Sequence, residues 1–143
     1  ERTGWKKFNQ IVVKSAASGA TLVTSTNAWN AANAFRLGAS YDLTTQTQLR
    51  AGYARDLTGQ GDEHFTARVP DADRHLFSVG LRHALPGDWE VEAAYMYAMV
   101  DDRDYASTRP FGTYGSDPNG TAAYNGKYES SAHLLGIGVS KKF

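Results

Sequence analysis

The chain has 143 residues, the length of one domain, and its 15 Lys+Arg balance 15 Asp+Glu, so no net field favours nucleic acid or another polyanion. It contains no cysteine, which excludes a disulfide framework and thiolate metal sites, and with a mean hydropathy of −0.48 it has no run of about 18 apolar residues that reads as a spanning helix. Fourteen Gly and 8 Tyr against 2 Met favour strands and turns, a profile that still permits a membrane β-barrel, whose alternating strands average out as polar.

In chain order, Glu1-Arg2-Thr3-Gly4 carries no apolar signal core, and either processing or a boundary within a longer chain is expected upstream. Residues 5–13 read as a first strand in which Trp5, Ile11 and Val13 share a parity that Phe8 breaks. Residues 14–32 are rich in Ala, Ser and Thr and read as a long outer loop, with a helical turn around Thr26 to Ala34 capped by Thr26 or Asn27. Asn33 to Asp42 alternates cleanly, with Phe35, Leu37, Ala39 and Tyr41 opposite Arg36, Gly38, Ser40 and Asp42. After a tight turn at 43–46, Gln46 to Asp56 sets Leu49, Ala51 and Tyr53 against Gln48, Arg50, Gly52 and Asp56. Following a loop at 57–73, Arg74 to Ala84 sets Phe77, Val79 and Leu81 against Ser78, Gly80 and Arg82. A turn at Leu85-Pro86-Gly87 leads to Asp88 to Val100, where Trp89, Val91, Ala93, Tyr95 and Tyr97 face away from Glu90 and Glu92. Residues 101–127 read as a third long loop. Tyr128 to Phe143 then places Leu135, Ile137, Val139 and Phe143 on one face, interrupted by Lys141.

The connections alternate between tight turns and long polar loops, which is how outer-membrane barrels are built. The aromatic residues fall into two rows, with Trp5, Tyr41, Trp89 and Phe143 at one rim and Phe35, Tyr53 and Tyr97 at the other. Such rows match the interfacial girdles of a barrel embedded in lipid. The fold class is therefore all-β, an antiparallel transmembrane β-barrel segment.

Enzyme motifs are lacking. His64, His75, His83 and His133 form no HExxH pair, and no GxSxG or phosphate-binding loop occurs. Asp71-Ala72-Asp73-Arg74, Asp101-Asp102-Arg103-Asp104 and Ser116-Asp117-Pro118-Asn119-Gly120 do not match a calcium loop. They read instead as an Asp73–Arg74 pair at a strand entrance, a solvated run and an ordinary turn. No metal or cofactor is expected. The inward-facing charges Arg36, Asp42, Arg50, Asp56, Arg82, Glu90 and Glu92 are expected to satisfy one another across neighbouring strands.

The segments RLGASYDL (36–43), LRAGYARD (49–56), VPDADRHLFSVGL (69–81) and AAYMYAMV (93–100), in this order with Trp5-Lys6-Lys7-Phe8, Trp29-Asn30 and a strand ending in Phe143, resemble the carboxy-terminal part of the FadL/TodX outer-membrane transporters. The similarity spans nearly the whole chain. It implies about six strands of a fourteen-stranded plugged barrel. Such a barrel takes long-chain fatty acids or hydrocarbons from outside and releases them sideways into the membrane.

The family's amino-terminal plug segment, with its Asn-Pro-Ala, has no counterpart here. An open six-stranded sheet would also leave bare edges in lipid. Residues 1–143 are accordingly expected to be the carboxy-terminal portion of a single outer-membrane barrel domain.

On this resemblance, hydrophobic cargo would meet the inward apolar residues Leu76, Met96, Ala98, Val100 and Leu134, while Arg50 or Arg82 could hold a fatty-acid carboxylate. The implied partners are a hydrophobic small molecule, outer-membrane lipid and lipopolysaccharide, and the barrel-assembly machinery through the terminal strand. Lys141 stands where the terminal signal for that machinery prefers an apolar residue. The competing readings are a general porin or structural barrel, which would conduct ions freely, and a soluble β-sandwich binding module, which would refold without detergent.

Overall fold

The computed structural model describes residues 1–65, 69–110 and 121–142, without the side chains of 107–110 and 121–124. Its strands are β1 (Arg2–Thr3), β2 (Gln10–Lys14), β3 (Thr21–Thr26), β4 (Ala32–Asp42), β5 (Thr47–Asp56), β6 (Arg74–Leu85), β7 (Trp89–Pro110) and β8 (Thr121–Lys141). Six of them form one sheet in the order β1-β4-β5-β6-β7-β8, and β2 pairs with β3 in a separate hairpin. All pairings are antiparallel. Short 3-10 turns at Trp5–Lys7 and Asp62–His64 are the only helical elements among the described residues.

The four strands from β4 to β7, together with β8, form a wall because their sequences share one parity. The register aligns Leu37, Tyr53, Phe77, Tyr97 and His133 in one row across the sheet, and Ala39, Ala51, Val79, Tyr95 and Leu135 in the next. These rows make a continuous apolar outer face. Leu37, Leu135 and Ile137 are 76%, 77% and 76% exposed, the reverse of a soluble sandwich, which buries such faces between sheets. From His75 to Leu85, β6 climbs roughly 33 Å at about 3.3 Å per residue. Tilted by about 40°, that stretch covers roughly 25 Å, the height of a barrel's apolar band.

Tight turns close one end of the wall. Thr44 Oγ1 accepts from the Gln46 and Thr47 amides at 3.1 and 3.0 Å. In the other turn Gly87 and Asp88 take left-handed φ values of 76° and 61°, which a glycine adopts without strain.

The long-loop end departs from the sequence-based reading. The strand expected over Trp5 to Val13 does not join the wall. It is split into a 3-10 turn and β2, while the strand that pairs with β4 is Arg2–Thr3, opposite Asn33 and Ala32. Trp5 therefore sits at the long-loop end and not in the rim with Tyr41 and Trp89. Its ring meets Trp29 edge-on at 5.5 Å, and Phe8 meets Trp29 at 5.3 Å. No helical turn forms near Thr26 to Ala34. The amides of Asn27 and Ala28 bond to the Asn9 carbonyl instead, pulling the segment back over the hairpin. Phe143 and the Ser116–Gly120 turn lie outside the described residues. The loop expected at 101–127 is largely strand, since β7 and β8 remain paired as far as Pro110 and Thr121.

What is buried gathers at this end. Among the described residues, Trp29, Ala32, Ala34, Ala54, Phe65 and Ala72 are the buried apolar ones, joined by Asn27 and Gln60. Gly59 shows how closely the loops meet: its carbonyl accepts from the Asn30 amide at 2.7 Å, and a Cβ there would lie 2.4 Å from the Asn30 oxygen.

Candidate functional site

The inner face of the wall falls into three zones set by the same register. Nearest the tight turns it is charged. Gln48 donates to Asp42 at 2.8 Å, Arg50 donates to Gln48 at 2.8 Å and to Glu92 at 3.3 Å, and Arg82 pairs with Glu90. These expected cross-strand pairs form among half-exposed side chains. Arg50 shares its row with the small residues Ser40, Gly80, Ala94 and Gly136, and the row above it carries Gly38, Gly52 and Ser78.

The third zone is apolar. Met96 pairs directly with Leu134 in the row of Gly52 and Ser78, and the next row carries Ala54, Leu76, Ala98 and Ala132. Val100 opposes Ser130 one row further on, beside Arg74. Leu76, Met96, Val100 and Leu134 thus share the inner face as one track. Arg50 and Arg82 share the face one and two rows from Met96 and Leu134, each with a glutamate partner.

Above Val100 the track meets a polar lock that the sequence did not disclose. A β-bulge between Val100 and Arg103 places Asp101 and Asp102 opposite Glu129 alone, so the parity of β7 inverts. Arg103 and Tyr105 consequently point inward, where an uninterrupted strand would have turned them out. The Arg103 guanidinium lies 4.4 Å over the Phe65 ring and donates to the Asp71 carbonyl at 2.5 Å, to Gln60 Oε1 at 3.4 Å and to Asp62 Oδ1 at 2.7 Å. Phe65 in turn packs edge-on against Tyr105 at 5.7 Å and Tyr128 at 5.6 Å.

The PDADR segment (70–74) completes the lock, with partners other than those expected. Arg74 pairs with Asp71 at 2.7 Å and lies 3.9 Å from Asp56, while Asp73 accepts from Arg55 at 3.2 Å and from the Thr58 amide at 2.7 Å. Asp71 also accepts from the Thr58 hydroxyl at 2.6 Å. The aspartates thus tie Thr58 and the 70–74 segment to the wall. No group of three metal-ligating side chains forms among the described residues. Nor is 101–104 a free solvated run: Asp102 faces outward and binds Lys127, whose pKa the hydrogen bonds to Asp102 and Glu129 hold above its ordinary value.

The histidines do not converge either. His75, His83 and His133 lie on the outer face, each with Nδ1 at a neighbouring hydroxyl: Tyr53 at 2.8 Å, Thr47 at 2.8 Å and Tyr95 at 2.7 Å. Lys141, which breaks the apolar parity of β8, stacks its ammonium 5.2 Å from the Trp89 ring.

Comparison with known proteins decides the relationship. All residues from 1 to 143 match the family described as outer membrane protein transport protein (OMPP1/FadL/TodX). The chain belongs to this family.

Among relatives, a 47 kDa outer membrane protein of Pasteurella multocida is 35% identical over 142 residues, covering 99% of this chain and 29% of the relative. Outer membrane protein P1 of Haemophilus influenzae is 29% identical over 109 residues, covering 75% of this chain and 23% of the relative. The crystal structure of a Pseudomonas aeruginosa FadL homologue superposes with a TM-score of 0.78 at 23% identity, over 96% of this chain and 30% of that one. The chain spans about three tenths of the Pasteurella relative. This FadL/TodX family member is an outer-membrane protein, and its wall is part of a FadL-type β-barrel.

Within that barrel, alternation located the apolar track from sequence because the wall keeps period two. The Arg103 lock was missed because one extra residue at the bulge reverses every later side chain on β7. The only sequence signal was local: an Asp-Asp-Arg-Asp run directly after a clean alternating strand marks a place where parity can change.

Proposed function

We propose that the chain is the carboxy-terminal portion of a single outer-membrane barrel that takes up hydrophobic compounds, long-chain fatty acids or hydrocarbons, by binding them on the inner face and releasing them sideways into the membrane. The observation that carries this reading is the inward apolar track of Leu76, Met96, Ala98, Val100 and Leu134. A barrel needs apolar residues toward lipid, and the outer face already supplies them. A water-filled porin gains nothing from a second apolar surface inside, whereas an alkyl chain needs one to leave water. Met96 suits varied cargo because an unbranched thioether adapts its shape.

The reading requires no catalytic group. On it, Arg50 and Arg82 contribute only to ligands that carry a carboxylate. The outer face contacts outer-membrane lipid and, at the long-loop rim, lipopolysaccharide, and β8 is the segment that the barrel-assembly machinery engages.

The test is uptake of a fatty acid and of a neutral hydrocarbon by cells carrying the full-length protein. Met96→Asp should lower both, because a carboxylate beside an alkyl chain resists desolvation, while assembly in the outer membrane stays intact. Unchanged uptake of both ligands would remove the track from the pathway, and free ion conductance through the purified wild-type protein would favour a general porin.

A further inference from the structure

Where the apolar track ends at the long-loop side, the wall together with Phe65 and the 70–72 segment encloses a notch of about 40 Å³ lined by Phe65, Pro70, Ala72, Val100, Arg103 and Tyr128 among others. Building on the transport reading above, we propose that Arg103 is a carboxylate anchor at the mouth of the pathway: the ligand's head group replaces Asp62 on the guanidinium, and its chain runs down over Val100 onto Leu76, Ala98 and Met96.

The two ends of the guanidinium are held very differently. Nη1 is tied to the folded loop through the Asp71 carbonyl and Gln60. Nη2 pairs with Asp62, whose side chain is 98% exposed while that of Arg103 is 12% exposed. A salt bridge to a carboxylate standing in solvent contributes little, since water competes for it and its side chain must be ordered. Another carboxylate brought to the same place by an alkyl chain would gain the same charge-assisted bonds and bury apolar surface as well. The neighbouring carboxylates do not oppose it strongly. That of Asp71 is taken up by Thr58 and Arg74, and that of Asp101 lies toward Arg55 at 4.0 Å and His75 at 3.8 Å.

The surroundings fit the rest of such a ligand. The Phe65 ring lies against the guanidinium, and Tyr105 and Tyr128 pack against Phe65. Val100 and Ser130 form the last cross-strand pair below the bulge, and the rows beneath them carry Leu76, Ala98 and Ala132, then Met96 and Leu134. A cation therefore stands at one end of a continuous apolar strip. Arg50 and Arg82, by contrast, lie one and two rows below Met96, toward the tight turns, and each pairs with a glutamate no more exposed than itself. Of Arg50, Arg82 and Arg103, Arg103 is the one whose carboxylate partner stands most fully in solvent.

The experiment measures binding of oleate and of oleyl alcohol, equal in chain length and differing in charge, to the full-length protein in detergent. Arg103→Gln should weaken oleate on the order of tenfold, the loss of a charge-assisted hydrogen bond, and leave oleyl alcohol within about twofold. Because that variant also loosens the loop, Asp62→Asn supplies the opposite sign. Removing the competing carboxylate should tighten oleate by about two- to fivefold, in line with a weak exposed ion pair, without changing the alcohol. Oleate binding unchanged or weakened in Asp62→Asn, or equal losses for both ligands in Arg103→Gln, would reduce Arg103 to a staple for the loop and overturn the proposal. If the wild type binds both ligands and Met96→Asp weakens both, the transport reading survives that failure. If the wild type binds neither, the transport reading and the anchor fall together.

Discussion

The wall and the loop-bearing end are stabilised by opposite means. Along the wall, large apolar side chains stand exposed, Leu37, Leu135 and Ile137 most of all, and the cross-strand ladder supplies the order. At the long-loop end the buried residues Trp29, Phe65, Asn27 and Gln60 interlock with a hydrogen-bonded loop, as in a small water-soluble domain. The difference follows from the solvent on each side. Lipid accepts an apolar face without further cover, whereas loops in water must bury their own apolar groups and satisfy their own backbone. One chain is thus folded by two solvents, and substitutions should sort by which of them they offend.

The strongest way to break this division is Trp29→Ala. Removing the ring that Trp5 and Phe8 pack against should cost the loop-bearing end about 3–5 kcal/mol. Faster proteolysis within 5–32 should follow, with the wall still migrating as a heat-modifiable barrel. Loss of the folded barrel in this variant would mean that the two regions unfold as one.

Next in size is a charge on the lipid side. Val79 lies in a row midway along the wall, and Val79→Arg should cost roughly 2–4 kcal/mol; Val91, two residues from the tight-turn end of β7, should tolerate Arg at roughly 0–1 kcal/mol. Folding yields of the two variants in lipid vesicles check the gradient. Equal yields would show that the face is not graded by depth.

The smallest effect is expected from Arg50→Gln. The Arg50–Glu92 pair is half-exposed on both sides, so its loss should change barrel stability by no more than about 1 kcal/mol. A greater loss in denaturant titration would show that the charged rows carry the wall's stability and do not merely satisfy one another.

Legibility from sequence divided along the same line. Over β4 to β8 the parity read from Phe35, Tyr53, Val79, Tyr95 and Ile137 matches the observed faces, because a strand with lipid on one side must repeat at period two wherever it crosses. The first strand was misplaced because Ile11 and Val13 alternate equally well in a hairpin outside the wall. A period of two reports a strand and not its partner. The helix expected near Asn27 gave way to backbone bonds with Asn9, a contact across the hairpin that no local propensity encodes.

What the sequence determined by itself was the wall: strand parity, the two tight turns, the inward apolar track and membership of a barrel family. Each rests on spacing within a few residues of chain. Tertiary structure decided the mouth. Pairing of β7 with β8 placed two residues opposite one at Asp101-Asp102, turned Arg103 inward, and brought Gln60, Asp62, Phe65 and Asp71 around it from forty residues or so earlier. A bulge belongs to a pair of strands and not to either sequence alone, so which way Arg103 points is settled only when both strands meet.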